Sequence, residues 1–317
     1  MKTTYIADLR VGEELENEPF LIRDVVRRTT KNGRPYLLFT LADKTGSASG
    51  VFWDVPDYIE QLVRNGVPVL VTGRVVSYKD ALQISSTDLN RDPDPDMSEF
   101  LPSSWRSRAE MIAELREHIG RLSPPWQRLT SHLLLDESFL SRFIQAPAAR
   151  GMHHAFIGGL VEHTLSMAAI ARHLAQHYPY VNEDLLLTGV LLHDMGKVHE
   201  YTTEGTFEFS DDGRLVGHIV RAITMIEAAA AELGDIPEDD LRHLIHLVAS
   251  HHGKLEWGSP VIPKTLEALL LHQIDLLDSR IQGFLDYLKS GATDEAWTSK
   301  PSPMFGTRLR RPSDYDE

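Results

Sequence analysis

The chain has 317 residues, more than one core usually organises, and its 42% hydrophobic and 25% charged content is that of an ordinary globular protein. It has no cysteine, which excludes disulfides and thiolate zinc sites, and its formal charge of -14 argues against any nucleic-acid grip built on bulk positive charge. The charge is uneven: residues 1–90 hold 11 Lys+Arg against 12 Asp+Glu, which leaves 32 − 11 = 21 against 46 − 12 = 34, or -13, for the rest. Met1-Lys2-Thr3-Thr4-Tyr5 has no apolar leader and the longest apolar runs, such as Leu185 to Leu192, are too short for a bilayer, so the chain reads as cytoplasmic and free of membrane.

Residues 1–90 read as β. Phe20 to Val26 is a strand, Lys31-Asn32-Gly33-Arg34 a turn, and Tyr36 to Asp43 a second strand. Lys44-Thr45-Gly46 turns into a third strand, Ser47 to Trp53, followed by a short amphipathic helix, Asp57 to Asn65, that Gly66 closes. Val67 to Val76 and Leu82 to Thr87 complete five strands, and a helix after the third is the order of an OB-fold barrel. Residues 91–104 form an acidic linker in which each Asp before a Pro is pushed to extended geometry. From 105 to 290 the pattern is helical, with candidates at 107–121, 126–135, 138–145, 154–177, 183–194, 217–231, 238–250 and 265–289, interrupted by a short hairpin at 201–209. The tail, 291–317, is polar and reads as flexible. The fold class is thus two-domain: an all-β barrel, then an all-α bundle.

All fifteen histidines lie between His118 and His272. His193-Asp194 closes an apolar helix, placing an imidazole beside a carboxylate, a poor structural choice and a good one for a divalent metal. Further candidate ligands flank the pair: His163 upstream, and His218, His251, His252 and Asp275 downstream. Asp278, three residues after Asp275, shares its helix face. A lone histidine on an apolar helix is more often a hydrogen-bonded core or surface residue, and His118, His132, His173, His177, His199, His243, His246 and His272 are read that way. The ordered set H, HD, H, HH, D is harder to explain so. Mixed His/Asp ligands suit Mn²⁺, Fe²⁺, Co²⁺ or Zn²⁺ without singling one out.

That ordered set resembles the HD superfamily of metal-dependent phosphohydrolases, an all-α fold, over residues 150–280. The resemblance implies that His163, His193, Asp194 and Asp275 bind one metal. Members with extra histidines hold a second, here His218, His251 and His252, with Asp194 as bridge. An OB-fold ahead of this domain, with Gly151-Met152-His153-His154-Ala155-Phe156-Ile157-Gly158-Gly159-Leu160-Val161-Glu162-His163-Thr164, Ser250-His251-His252-Gly253-Lys254-Leu255-Glu256-Trp257-Gly258-Ser259-Pro260 and Leu271-His272-Gln273-Ile274-Asp275-Leu276-Leu277-Asp278, resembles the YhaM family of 3′-5′ exoribonucleases over residues 5–290. It implies hydrolysis of single-stranded RNA to nucleoside 5′-monophosphates with one or two divalent ions, Mn²⁺ foremost, in a homo-oligomer; single-stranded DNA stays open as a second substrate.

Within that frame Asp194 and Lys197 are the candidate catalytic residues, Lys197 reaching a phosphate or leaving oxygen, and His154 and Lys254 (with His153) are candidate phosphate contacts. Arg150 and Arg221 read as surface ion pairs. In the barrel, aromatics and cations alternate, and OB-folds hold single strands by stacking bases on aromatics while cations track the backbone. The nucleic-acid candidates are Lys31, Arg34, Tyr36, Lys44, Trp53, Arg74, Tyr78 and Lys79; Phe39 and Phe52 are assigned to the core. An alternative is an HD phosphohydrolase acting on a nucleotide or cyclic dinucleotide, with the barrel as regulator, although the Gly-Tyr-Pro run of the cyclic-dinucleotide subfamily is replaced by Gly258-Ser259-Pro260. A third reading, a nucleic-acid-binding protein with a structural metal, is at odds with the intact ligand set.

Overall fold

The computed structural model describes residues 2–30, 32–79, 81–101, 103–150, 154–202, 207–290 and 296–312. Lys31 and His153 lie outside the described residues. Contacts separate a first unit that runs to Ser103 from a second that begins at Ser104.

The first unit is a closed five-stranded barrel: β1 (Glu14–Thr29), β2 (Pro35–Asp43), β3 (Gly46–Trp53), helix α1 (Asp57–Leu62), β4 (Val67–Tyr78) and β5 (Ala81–Arg91), in spatial order β1-β2-β3-β5-β4. Neighbours run antiparallel except β3 and β5, whose parallel pairing of Ser49–Phe52 with Gln83–Ser86 closes the barrel. Period-two alternation sends Leu37, Phe39 and Leu41 of β2 and Val69, Val71 and Val75 of β4 inward, where they join Phe20, Ile22, Phe52 and Ile84. The order matches the sequence reading, and Phe39 and Phe52 are core residues as expected. β1 is sixteen residues long, whereas the sequence shows only its apolar middle. Register shifts between Leu15 and Glu18 and between Arg23 and Val26 bend it, so that one strand pairs with β2 and with β4. The polar Glu14–Glu18 end is a strand because β4 supplies its partners, which no local propensity encodes.

The linker is less free than its composition suggests. Met97–Glu99 form a 3-10 turn with the Asp96 carboxylate accepting from Ser98 N at 3.0 Å, and Phe100 and Leu101 are buried.

The second unit is helical: α2 (Arg108–Gly120), α3 (Trp126–Leu134), α4 (Glu137–Phe143), α5 (Gly159–His177), α6 (Glu183–Leu192), α7 (Lys197–Glu200), a minimal hairpin of β6 (Tyr201–Thr202) and β7 (Glu208–Phe209), then α8 (Asp211–Leu215), α9 (His218–Leu233), α10 (Glu238–Ser250) and α11 (Leu266–Ser290). α6 starts on an Asn182 cap that accepts from Leu185 N at 3.1 Å, and every residue from Leu185 to Leu192 is buried, as expected for a helix apolar on all sides. α5 begins at Gly159, not at His154, because Gly158 at φ 82° and His154 at φ 54° break the helical path.

The tail differs from its reading as flexible. Over 296–312 it pairs Trp297 with Arg310, Thr298 N donates to Leu309 O at 2.9 Å, and the Tyr287 hydroxyl of α11 donates to Lys300 O at 3.0 Å. Backbone and hydroxyl bonds hold this segment, and they leave no hydrophobic periodicity to read. Among the described residues no helix is long and apolar enough to cross a membrane.

Candidate metal centre

Three helix ends and two helix faces deliver the site. His163 projects from α5, His193-Asp194 follow the last residue of α6, His218 opens α9, His251-His252 follow α10, and Asp275 and Asp278 sit one turn apart on α11. His163, His193, Asp194 and His251 are each nearly inaccessible to solvent. The close approach of α7 and α9 needs Gly196: a Cβ there would stand 2.1 Å from His218 O. Gly253, at φ 78°, lets the chain leave α10 against the His272 ring, where a Cβ would fall 2.2 Å from Cε1.

The carboxylate of Asp194 is the hub. Its Oδ2 lies 3.2 Å from His193 Nε2 and 3.8 Å from His163 Nε2; its Oδ1 lies 3.5 Å from His218 Nε2 and 3.6 Å from His251 Nε2. Asp275 Oδ1 stands 3.5 Å from His163 Nε2. Of the three triads of converging donor atoms among the described residues, two flank Asp194, His163–His193–Asp275 beside Oδ2 and His218–His251–His252 beside Oδ1, and the third is His154–His163–Asp278.

The tautomers are set by partners that can only accept. His193 Nδ1 donates to Val190 O at 2.8 Å, His251 Nδ1 to Val248 O at 2.7 Å, His252 Nδ1 to Trp257 O at 2.9 Å and His218 Nδ1 to Glu200 Oε1 at 2.8 Å. In the neutral rings each Nε2 is therefore a lone pair aimed inward. His193 Nε2, His218 Nε2, His251 Nε2 and Asp194 Oδ1 are buried with no hydrogen-bond partner. Buried lone pairs facing a carboxylate repel unless a cation stands among them, so this donor set fits a divalent ion.

The charge environment agrees. Burial alone would raise the Asp194 carboxyl, but Lys197, with Nζ 2.6 Å away, and His193 outweigh it and hold it well below the usual range. Burial likewise opposes Lys197, and Asp194 overrides it and raises the ammonium. Burial pushes His251 well below the ordinary imidazole value. His163 goes the other way: despite burial, Asp275 and Asp278 lift it to about 9, so without a cation it holds a proton.

Two carboxylates complete the surroundings. Asp278 Oδ2 accepts from His163 Nδ1 at 2.7 Å and from His154 Nε2 at 3.0 Å, and the Ser166 hydroxyl donates to its other oxygen. Glu200, which nothing in the sequence singled out, fixes His218. Ligand histidines are generally oriented by such outer partners. His154 is thereby corrected: it is a buried partner of Asp278, not a surface contact for phosphate, because its position before α5 turns the ring inward. Lys254 stays exposed, 4.3 Å over the Trp257 ring and 3.6 Å from Glu256. Arg150 pairs with Glu208 and Arg221 with Asp212, both ordinary ion pairs.

In the barrel, Tyr36 and Trp53 pair across β2 and β3 and stack with centroids 4.8 Å apart, Trp53 being 52% exposed. Arg28 pairs with Tyr36 from β1, extending the row by a cation that the sequence reading did not select. Tyr78 is 54% exposed, with Lys79 against its ring. Arg34 and Arg74 are exposed beside Asp54 and Glu14. Lys44, part-exposed, pairs with Glu99 at 3.1 Å and lies 4.9 Å over the Tyr5 ring.

Residues 160–280 match the HD domain family, and residues 20–91 match the family described as OB-fold nucleic acid binding domain. Among solved structures, the second OB-fold domain of replication protein A from Methanococcus maripaludis is similar over 30% of this chain and 98% of its own (21% identity, TM-score 0.24). The HD domain of the phosphodiesterase PgpH from L. monocytogenes is similar over 51% and 78% (15% identity, TM-score 0.29), and likenesses at that level carry no weight. A protein named 3′-5′ exoribonuclease YhaM from Geobacillus sp. (strain WCH70) is 36% identical over 297 residues, 92% of this chain and 90% of that protein. With both halves matched in one order, the chain belongs to the YhaM family.

Proposed function

We propose that this chain is a divalent-metal-dependent 3′-5′ exoribonuclease that shortens single-stranded RNA by releasing nucleoside 5′-monophosphates. The observation that carries the mechanism is the division of Asp194: one oxygen faces His193 and His163, the other His218 and His251. On this reading His163, His193 and Asp275 hold one ion, His218, His251 and His252 hold a second, and Asp194 reaches both. Imidazole-rich ligands favour Mn²⁺ or Co²⁺ over Mg²⁺. Bound divalent ions supply an acidified water and charge neutralisation at the phosphoryl group. Glu200 and Asp278 keep the imidazoles pointed inward. Lys197 pairs with Asp194 and would turn to a phosphate oxygen where cations take over that charge. The buried walls keep bulk water from screening these charges.

The barrel captures the RNA. The row Arg28–Tyr36–Trp53, with Tyr78, Arg34, Arg74 and Lys79, offers stacking faces and cations on a surface with little net charge. Lys31 belongs to the same proposal from its sequence position alone. The chain acts in the cytoplasm, a reading that its lack of cysteine supports. Homo-oligomers belong to the same proposal, on the family resemblance alone. The test is product analysis: 5′-labelled RNA incubated with Mn²⁺ should shorten stepwise from its 3′ end, release nucleoside 5′-monophosphates and stay intact in chelator. Internal cuts, 3′-monophosphates or activity confined to a mononucleotide or cyclic dinucleotide would overturn it.

A further inference from the structure

A pocket of about 220 Å³ opens beside the metal centre, lined by His252, Trp257, His272, Asp275, Leu276 and Ser279. Two of its walls, His252 and Asp275, belong to the candidate ligand set, so whatever fills it abuts the ions. Its mouth carries Trp257, 43% exposed. This tryptophan is not on a loose loop. Its carbonyl accepts from His252 Nδ1 at 2.9 Å and its N–H donates to Lys254 O at 3.1 Å. Gly258 follows at φ 88°, and the buried Ser259 hydroxyl donates to Ala249 O at 3.1 Å, pinning the segment to the end of α10. The His272 ring stands 6.1 Å from the indole, and Lys254 sits over it. A segment held by these three hydrogen bonds with its indole half out of water, next to a site for phosphoryl chemistry, is built to stack on something flat.

The geometry points to a nucleobase subsite: Trp257 stacks on the 3′-terminal base of the RNA, seating it in this pocket so that the 5′-phosphate of that nucleotide meets the ions. The inference rests on the exoribonuclease reading. Lys254 covers one face of the indole, so the base takes the other face, and the ammonium is left to meet the backbone of the same nucleotide. Because any base has a π-face, the subsite is tolerant of sequence and still requires a base.

The test uses the full chain loaded with Mn²⁺ and two esters with one leaving group: the p-nitrophenyl ester of uridine 5′-monophosphate, which carries a terminal nucleoside, and methyl p-nitrophenyl phosphate, which carries none. The readout is the ratio of their kcat/KM values, alongside Mn²⁺ content and sedimentation. Trp257→Ala should lower that ratio about tenfold, with Mn²⁺ content retained, and Trp257→Phe should restore most of it. An equal fall for both esters, with lost Mn²⁺, would show that Trp257 acts only through His252 and would overturn the subsite. So would an unchanged ratio, or a change of oligomeric state accompanying the loss. If the wild type hydrolyses neither RNA nor the uridine ester and cleaves only the methyl ester, it is the exoribonuclease reading that fails.

Discussion

The barrel and the helical unit put their polar chemistry in opposite places. The barrel fills its core with aliphatic and aromatic side chains, pairs its few buried charges, Lys2 with Glu18 and Asp43, and carries its candidate RNA contacts, Trp53, Tyr78, Arg34 and Arg74, on the outside. The helical unit sinks Asp194, His163, His193 and His251 among packed helices and leaves several of their atoms unpartnered. Exposed stacking and screened charges work in small independent increments, so the barrel should tolerate single changes. A desolvated cluster is all-or-none: it needs every lone pair, and it needs its cations.

The largest break should come at the hub. Asp194→Asn removes the one carboxylate that faces both triads, and kcat should fall on the order of a thousandfold or more, with the circular dichroism of the fold retained. Near-normal turnover at normal metal content would place the chemistry elsewhere.

The outer carboxylates should sharpen the picture by separating the two ions. Asp278→Asn frees His163 and Glu200→Gln frees His218; each should weaken one ion by about 10–100-fold and spare the other. Competition with a metal-sensing dye reads both steps. Loss of the same step in both variants would reduce the centre to a single site.

How far the sequence reached follows the same contrast. The barrel was legible because period-two alternation and turn glycines are local signals; the ends of β1 and β5 were not, because barrel partners make them strands. Asp194 and its histidines were legible because His-Asp in an apolar helix has few structural explanations. Glu200 carried no signal: it sits on the four-residue helix α7, and only folding brings it to His218. His154 was misread because its neighbour in space, Asp278, is 124 residues away. The tail and linker were misread because hydrogen bonds and a few buried side chains, not periodicity, hold them.

On the barrel, Trp53→Ala or Tyr36→Ala should raise KM for long RNA about tenfold, since a base stack is worth about 1–3 kcal/mol, and should slow a small phosphodiester far less. Equal effects on both substrates would remove the barrel from RNA capture and favour a regulatory or assembly role.

The smallest effect is a pH signature. In metal-free protein His163 is raised from 6.5 to about 9, so its contribution to stability is whole below pH 6.5 and is lost as pH climbs through about 9. His251 and His252 are depressed, so theirs is present above pH 6.5 and lost below it. Calorimetry in chelator should therefore find the Tm highest near neutrality and falling toward pH 9. With Mn²⁺ the alkaline fall should disappear, because the ion takes the place of the proton on His163. A metal-free Tm that rises from pH 6.5 to 9 contradicts the His163–Asp275–Asp278 arrangement.

The most direct test of the central claim is anomalous diffraction from crystals grown with Mn²⁺. The account predicts two peaks, one among His163, His193 and Asp275 and one among His218, His251 and His252, with an oxygen of Asp194 turned to each. A peak in the third group of converging donors, His154, His163 and Asp278, with none beside Asp194, would contradict it.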